Sequence, residues 1–444
     1  MKKGLKLFCV LLAAMLLLAA CGGNDSQDAS PSPSTNDGAQ TNEGNAEQQQ
    51  PAEETNEPVT LNFFYNGFSE SLTEEVKNMI EAEFPHVTIN MILHGQGQTI
   101  NDVIVSGTPV DLAAFTMGQL FNVMDLQLAS DLTPLIEKHN FDVNTLADGV
   151  LETVKGYSEN GEILVMPYEL NNGVLLYNKN IFDRFGVEYP VDNMTWEDVH
   201  HIVEQVSRED DGVVYQGFQL FGSNPVYRNQ LGLQFVDPET NKAVVNTDQW
   251  QKWLQVMTSF YSVPNNEMTG TNFETLFFQE MTLAMRTGPN PLDKLPAAME
   301  SGLEWDAVSM PVFDESTGSQ MNAPFYIIPP TSRDKDTAFK VIAYLMSEEV
   351  QSWNARQGRV PIIKSETVIG QFGADLPFLE GTNYAKAIFM EKIADPIRVT
   401  KYDGIVRSEM ARAIPKVAME GLDINTVLRE IEENANKLIE EAMK

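Results

Sequence analysis

The chain has 444 residues and is 43% hydrophobic, enough for two lobes of ordinary domain size, each with its own core. Its 63 acidic residues outweigh 30 basic ones for a formal charge of −33. That balance argues against nucleic acid as a partner, since phosphate backbones demand basic patches, and against the folded surface lying on an anionic membrane.

Residues 1–21 read as a secretory leader. Lys2, Lys3 and Lys6 give it a charged start, and the apolar run Leu7 to Ala20 is shorter than the ~20 residues of a permanent membrane-spanning helix. The run ends Leu18-Ala19-Ala20-Cys21-Gly22, which looks like a lipobox: cleavage would leave Cys21 as an acylated N-terminus anchored to the outer face of a bacterial cell membrane. The other cysteine, Cys9, lies inside the leader, so the rest of the chain offers no disulfide, thiolate metal site or cysteine nucleophile. From Gly22 to Pro58 there is no Val, Ile, Leu, Met, Phe, Tyr, Trp, Lys or Arg. Such a stretch cannot bury enough apolar area to offset backbone entropy, so residues 22–58 are expected to form a disordered acidic and polar linker reaching roughly 30 Å.

Residues 59–444 are the expected folded region, with no further apolar stretch long enough to cross a membrane. Strands are predicted at Thr60–Tyr65, Val87–Leu93, Asp111–Phe115, Ile163–Met166, Val174–Tyr177, Gly217–Phe221, Leu283–Met285, Ala307–Met310 and Phe325–Ile328. Alternation with helical patterns suggests parallel α/β layers. Thr73 is the expected cap of a helix carrying Val76, Met79 and Ile80 and stopped by Pro85. Thr195-Trp196-Glu197-Asp198 resembles a capping box ahead of the stripe Val199, Ile202, Val203 and Val206. Further helices are predicted through Ala338–Leu345, from Ser347 towards Gly358, and from about Asn425 with Val427, Leu428, Ile431, Ala435, Leu438 and Ile439 on one face.

Five short stretches recur in order: Ser106-Gly107-Thr108-Pro109-Val110-Asp111-Leu112; Met166-Pro167-Tyr168-Glu169; Leu175 to Phe182 with its Tyr177-Asn178-Lys179, followed by Thr195-Trp196-Glu197; Ala284-Met285-Arg286-Thr287-Gly288; and Tyr344 to Gln351 followed by Gly358-Arg359-Val360-Pro361. With these the chain resembles the maltose-binding-like group of extracellular solute-binding proteins, the carbohydrate receptors of ABC importers. The resemblance implies a type II periplasmic-binding-protein-like α/β fold, in which two lobes are joined by crossing strands near Leu170–Leu176 and Met321–Ile328, with the ligand in the cleft between them. Lobe 1 would hold about 59–169 plus 327–375, and lobe 2 about 175–320 plus 376–444. It also implies a monomer that binds a solute without altering it and delivers it to the permease subunits.

A sugar presents C–H faces that stack on aromatic rings and hydroxyls that need paired donors and acceptors. Such residues are sought at strand ends. Tyr65 and Asn66 end the first strand; Phe115 and Thr116 end the third, where the family places a stacking Trp. Glu169 and Asn171 flank the first crossing, with Glu169 as the expected hydroxyl-binding carboxylate. Phe221, Tyr326, Tyr402 and Asp403 complete the aromatic and acidic set. Asn290 stands where related receptors carry a platform Trp, so the ligand is expected to differ from a maltodextrin; Arg286 either pairs with a ligand carboxylate or neutralises part of an acidic surface. Trp196 is expected in the core, and the adjacent His200 and His201 make a poor metal pair because neighbours on a helix point apart.

No phosphate loop, zinc-protease motif, nucleophile elbow or paired-cysteine metal motif appears, so no cofactor, no metal and no catalytic residue are expected. The rival readings are a receptor for a non-sugar solute such as a polyamine or peptide, a secreted carbohydrate-active enzyme using two placed carboxylates, and an adhesion or sensor lipoprotein.

Overall fold

The computed structural model describes residues 57–67, 70–221, 224–268, 272–288, 290–314 and 317–444. The expected leader, lipobox and nearly all of the expected linker lie outside them. Two five-stranded sheets organise the chain. The first has the order Val87–Leu93, Val59–Tyr65, Leu112–Phe115, Phe325–Ile327, Met166–Pro167. Its first pair is parallel and in register from Val59 opposite Val87 to Tyr65 opposite Leu93. The second has the order Trp305–Ser309, Val174–Asn178, Leu283–Arg286, Val213–Gln219, Arg208–Asp210.

Neither sheet is all parallel, which corrects the expectation of parallel layers. Phe325–Ile327 runs antiparallel to Leu112–Phe115, and Val174–Asn178 runs antiparallel to both its neighbours. The reason is the path of the chain. It leaves the first sheet after Pro167, enters the second at Val174, and returns from Ser309 to Phe325, so the returning strand inserts reversed. A small antiparallel pair, Glu169–Leu170 with Val360–Pro361, sits on the first crossing.

Several elements begin where local chemistry places them. Thr195 and Asp198 form the reciprocal box: each backbone N–H donates to the other's side-chain oxygen, at 2.8 Å from Thr195 and 3.2 Å from Asp198. The helix they open, Trp196–Val206, buries Val199, Val203 and Val206, and the Trp196 indole donates to Gln230 at 2.7 Å inside the core. Ser347 and Asp423 cap their helices in the same way, accepting from Val350 and Thr426. Other expectations shift. The first helix begins at Glu70 and carries Thr73 buried within it rather than as its cap. Residues 163–165 are irregular, and the strand is only Met166–Pro167. The strand expected at Gly217–Phe221 is Val213–Gln219, because Asp211 and Gly212, both at positive φ, make a two-residue hairpin with Arg208–Asp210.

The buried apolar side chains fall into two clusters. One joins the first sheet to one face of the second through Leu379, Tyr384 and Ile388. The other lies on the second sheet's opposite face, where the helices Asp403–Met410, Ala413–Ala418 and Ile424–Ala442 pack with Asp248–Ser259. Within the first cluster Asp111 is fully buried and accepts from the Asn62 N–H at 2.8 Å, the Arg333 N–H at 2.9 Å and Arg333 Nε at 3.0 Å. Burial opposes its ionisation, but these donors outweigh it and hold the carboxyl below its usual range. It thereby ties the edge of the first strand to the loop after the returning strand. No helix among the described residues is long and apolar enough to cross a membrane.

Candidate functional site

Buried polar atoms without hydrogen-bond partners are uncommon in folded proteins, and each one asks what group is meant to meet it. Among the described residues they include Oε2 of Glu169, all three guanidinium nitrogens of Arg286, Oδ1 of Asp403, Nε of Arg407 and the hydroxyls of Ser207 and Ser332. Three of these residues belong to the set read from the sequence; Arg407 does not.

Around Arg407 the chain leaves a cavity of about 480 Å³ between the helices Leu120–Asp125 and Asp403–Met410, lined by Phe121, Asn122, Asp125, Tyr227, Arg407 and Leu438 among others. The guanidinium lies between the Phe121 and Phe235 rings, 5.1 and 4.9 Å from their centres. Gly404 lets the two helices touch: a Cβ there would sit 3.0 Å from Phe121 Cβ. One turn before Arg407, Asp403 accepts from Thr400 N and Thr400 Oγ1, both at 2.8 Å, through Oδ2. Burial raises the Asp403 carboxyl and lowers the Arg407 guanidinium from their ordinary ranges. A narrower space lined by Tyr157, Tyr227, Gln320 and Arg407 continues beneath. Leu438, expected on the buried stripe of the last helix, is instead 40% exposed and faces this cavity.

On the first crossing, Tyr168 stacks on Tyr326 with ring centres 4.3 Å apart, and the Tyr65 hydroxyl reaches Tyr168. Glu169 beside them is 8% exposed, and its closest cation is Arg359 Nε at 3.9 Å. Burial raises its carboxyl to about 7, with Arg359 opposing.

The remaining sequence-derived residues divide. Asn66 is half-buried and Thr116 exposed, and Thr116 immediately precedes the short helix that leads to Phe121 without a side-chain bond to it. Phe115 does not offer a stacking face: its ring is buried between Phe64 and Phe325, and the cavity takes its aromatics from Phe121, six residues on, and Tyr227. Tyr326 and Tyr402 are likewise buried in the two cores. Asn171 serves through its backbone, donating to the Asn322 carbonyl at 2.8 Å and accepting from Arg228. Phe221 packs edge-on against Phe273. Asn290 spends its amide on structure, donating to the Gly358 carbonyl at 2.8 Å and accepting from Leu292 N at 3.1 Å. Arg286 is wholly buried, so the surface-neutralising role is excluded.

A larger hollow of about 730 Å³ lies between residues 143–152 and 389–396, but none of the orphaned atoms lines it. Outside the cavity, the Nδ1 atoms of His200 and His201 lie 4.0 and 3.3 Å from the Glu204 carboxylate, on the outer face of the helix Trp196–Val206. The sequence signal for Arg407 was its i, i+4 spacing from Asp403, which places both on one helix face.

A family model for bacterial extracellular solute-binding proteins matches residues 50–372. No curated protein matches by sequence. Among solved structures, an ABC substrate-binding protein from Listeria monocytogenes in complex with cycloalternan is 19% identical, with a TM-score of 0.69 over 86% of this chain and 98% of its own. The sugar-binding protein MalE from Xanthomonas citri is 16% identical, with a TM-score of 0.67 over 87% and 98%. UgpB from Mycobacterium tuberculosis in complex with glycerophosphocholine is 15% identical, with a TM-score of 0.69 over 86% and 99%. These likenesses establish the two-lobed binding-protein fold, and with a family match across most of the folded region, this chain belongs to the bacterial extracellular solute-binding proteins.

Proposed function

We propose that the protein captures a carbohydrate outside the cell and passes it to an ABC importer, held at the membrane by lipid on Cys21 and leaving its ligand chemically unchanged. The observation that carries this reading is the orphaned guanidinium nitrogen of Arg407 in a cavity lined by Phe121 and Tyr227, with further orphaned buried polar atoms on Glu169, Arg286 and Asp403. Donors, acceptors and ring faces together match a polyhydroxylated ligand, and groups left unpaired without it would reject ligands lacking hydroxyls. A related fold in complex with cycloalternan, and a cyclic alpha-maltosyl-1,6-maltose binding protein of related fold, support the ligand class. Lobe 1 as 59–169 plus 327–375, and lobe 2 as 175–320 plus 376–444, would close on the ligand because only the closed form contacts it from both sides.

A thermal-shift screen of mono- and oligosaccharides tests this. A bound sugar at a hundredfold excess over its Kd adds about 2.7 kcal/mol of apparent stability. Phe121→Ala is expected to weaken that sugar roughly tenfold by removing a ring face. If no saccharide raises Tm while polyamines or peptides do, the carbohydrate reading fails. Retention of Cys21→Ser protein on washed cells would refute the lipid anchor.

A further inference from the structure

Arg286 is a buried cation whose nitrogens all lack a hydrogen-bond partner. Its strand, Leu283–Arg286, lies inside the second sheet, and the side chain is fully buried. Two aromatic rings flank the guanidinium: the Phe273 and Phe278 ring centres lie 4.8 and 5.1 Å from it. The edge, where all five N–H bonds point, has no acceptor on any of its three nitrogens. The nearby acids do not answer it. Glu274 is engaged by Lys294 at 2.5 Å, and Asp293 acts only through space. A buried cation without a partner is strongly destabilising, so packing alone gives no reason to keep it.

Two more features bear on this edge. Gly288 has φ +145, and a Cβ there would stand 2.7 Å from Arg286 Nη2 and 3.1 Å from Phe221 Cβ. Any side chain at that position would collide with the guanidinium edge. The strand end is also tied to the crossing: Asn290 donates to the Gly358 carbonyl, and the next residue, Arg359, faces Glu169.

We propose that the in-plane edge of Arg286 receives an oxyanion carried by the captured solute, which makes that solute an acidic saccharide, such as a uronate or a sugar phosphate. The inference rests on the carbohydrate reading above for the word saccharide, and on Arg286 alone for the anion. A planar carboxylate or a phosphate pairs with that edge through two parallel N–H···O bonds, and the surrounding rings exclude water from the pair.

Calorimetric titration with matched neutral oligosaccharides and oligouronates, and with sn-glycerol 3-phosphate, tests it on wild type, Arg286→Met and Arg286→Lys. In wild type the oligouronate or the phosphate should bind at least ~10-fold more tightly than the neutral sugar, about one bidentate pair's worth. Arg286→Met should lose that preference, and Arg286→Lys should keep only part of it. The free Arg286→Met protein should melt about 2–4 °C higher, since an unpaired cation has gone; a lower melting temperature would assign Arg286 to packing and overturn the inference. Should Arg286→Met not fold, Gly288→Ala retains the charge but blocks its edge, and must also lose the preference. Equal binding of neutral and acidic sugars overturns the anion inference and leaves the carbohydrate reading intact. Binding of glycerol phosphate alone, dependent on Arg286, does the reverse. Failure of every anionic probe overturns it.

Discussion

Glu391→Ala is expected to lower the unfolding free energy by about 3–5 kcal/mol, the usual cost of stranding one partner of a buried ion pair. Arg228 and Glu391 have side chains only 4% and 6% exposed, and Nη1 of Arg228 meets both carboxylate oxygens, at 2.7 and 2.9 Å. The same carboxylate accepts from the Gly173 N–H at 2.6 Å and from the Ser319 hydroxyl. Gly173 lies on the chain's outward passage between the sheets and Ser319 on its return, and Asn172 adds a bond to the Ile388 carbonyl at 3.0 Å. One acid thus joins both crossing segments to the stretch that leads into the C-terminal helices. Urea unfolding of Glu391→Ala, Arg228→Met and the double variant Arg228→Met/Glu391→Leu separates the charge effect from packing. The double variant should recover most of the loss, because no unpaired charge remains. A loss below about 1 kcal/mol in Glu391→Ala would mean that the pair holds nothing together.

Reading the sequence reached some of this and missed the rest for identifiable reasons. The Thr195–Asp198 box and the strand Val87–Leu93 are governed by local chemistry, so they could be placed to the residue. The hairpin at Asp211-Gly212 was equally local and was passed over in favour of the more apolar run that follows. Phe115 illustrates a different limit. Both faces of a sheet inside an α/β layer are covered, so the last residue of a strand can belong to the core as readily as to a cleft. Which way its ring goes depends on Phe64 and Phe325, residues 51 and 210 positions away, and no spacing rule reaches that far. Glu169, Arg286 and Asp403 are legible because they stand at strand ends, crossings and helix starts that the resemblance marks in the sequence. Phe121 and Arg407 lie in the short helices Leu120–Asp125 and Asp403–Met410, and only tertiary packing turns them towards a common space.

Replacing Glu169 by Gln should stabilise the free protein at pH 8 and do little at pH 4. Burial lifts the folded-state carboxyl from 4.5 to about 7. A raised carboxyl binds its proton more tightly in the folded state than in the unfolded chain. Its linkage therefore runs opposite to that of a salt-bridged acid: folding is unaffected below about pH 4.5 and weakens as pH climbs towards 7, after which the difference is constant. A gap of about 2.5 units corresponds to roughly 3 kcal/mol. Glutamine keeps the shape and cannot ionise, so the stability difference between variant and wild type should open by an amount of that order between pH 4 and pH 8. Urea midpoints at four pH values would measure it, and a difference flat across the range would show that Glu169 is already matched in the free protein. The same substitution should weaken sugar binding, because a neutral amide accepts a hydroxyl's hydrogen bond less strongly than a carboxylate does. Stability gained and affinity lost at one residue is the pattern expected of a group held buried for its ligand rather than for the fold.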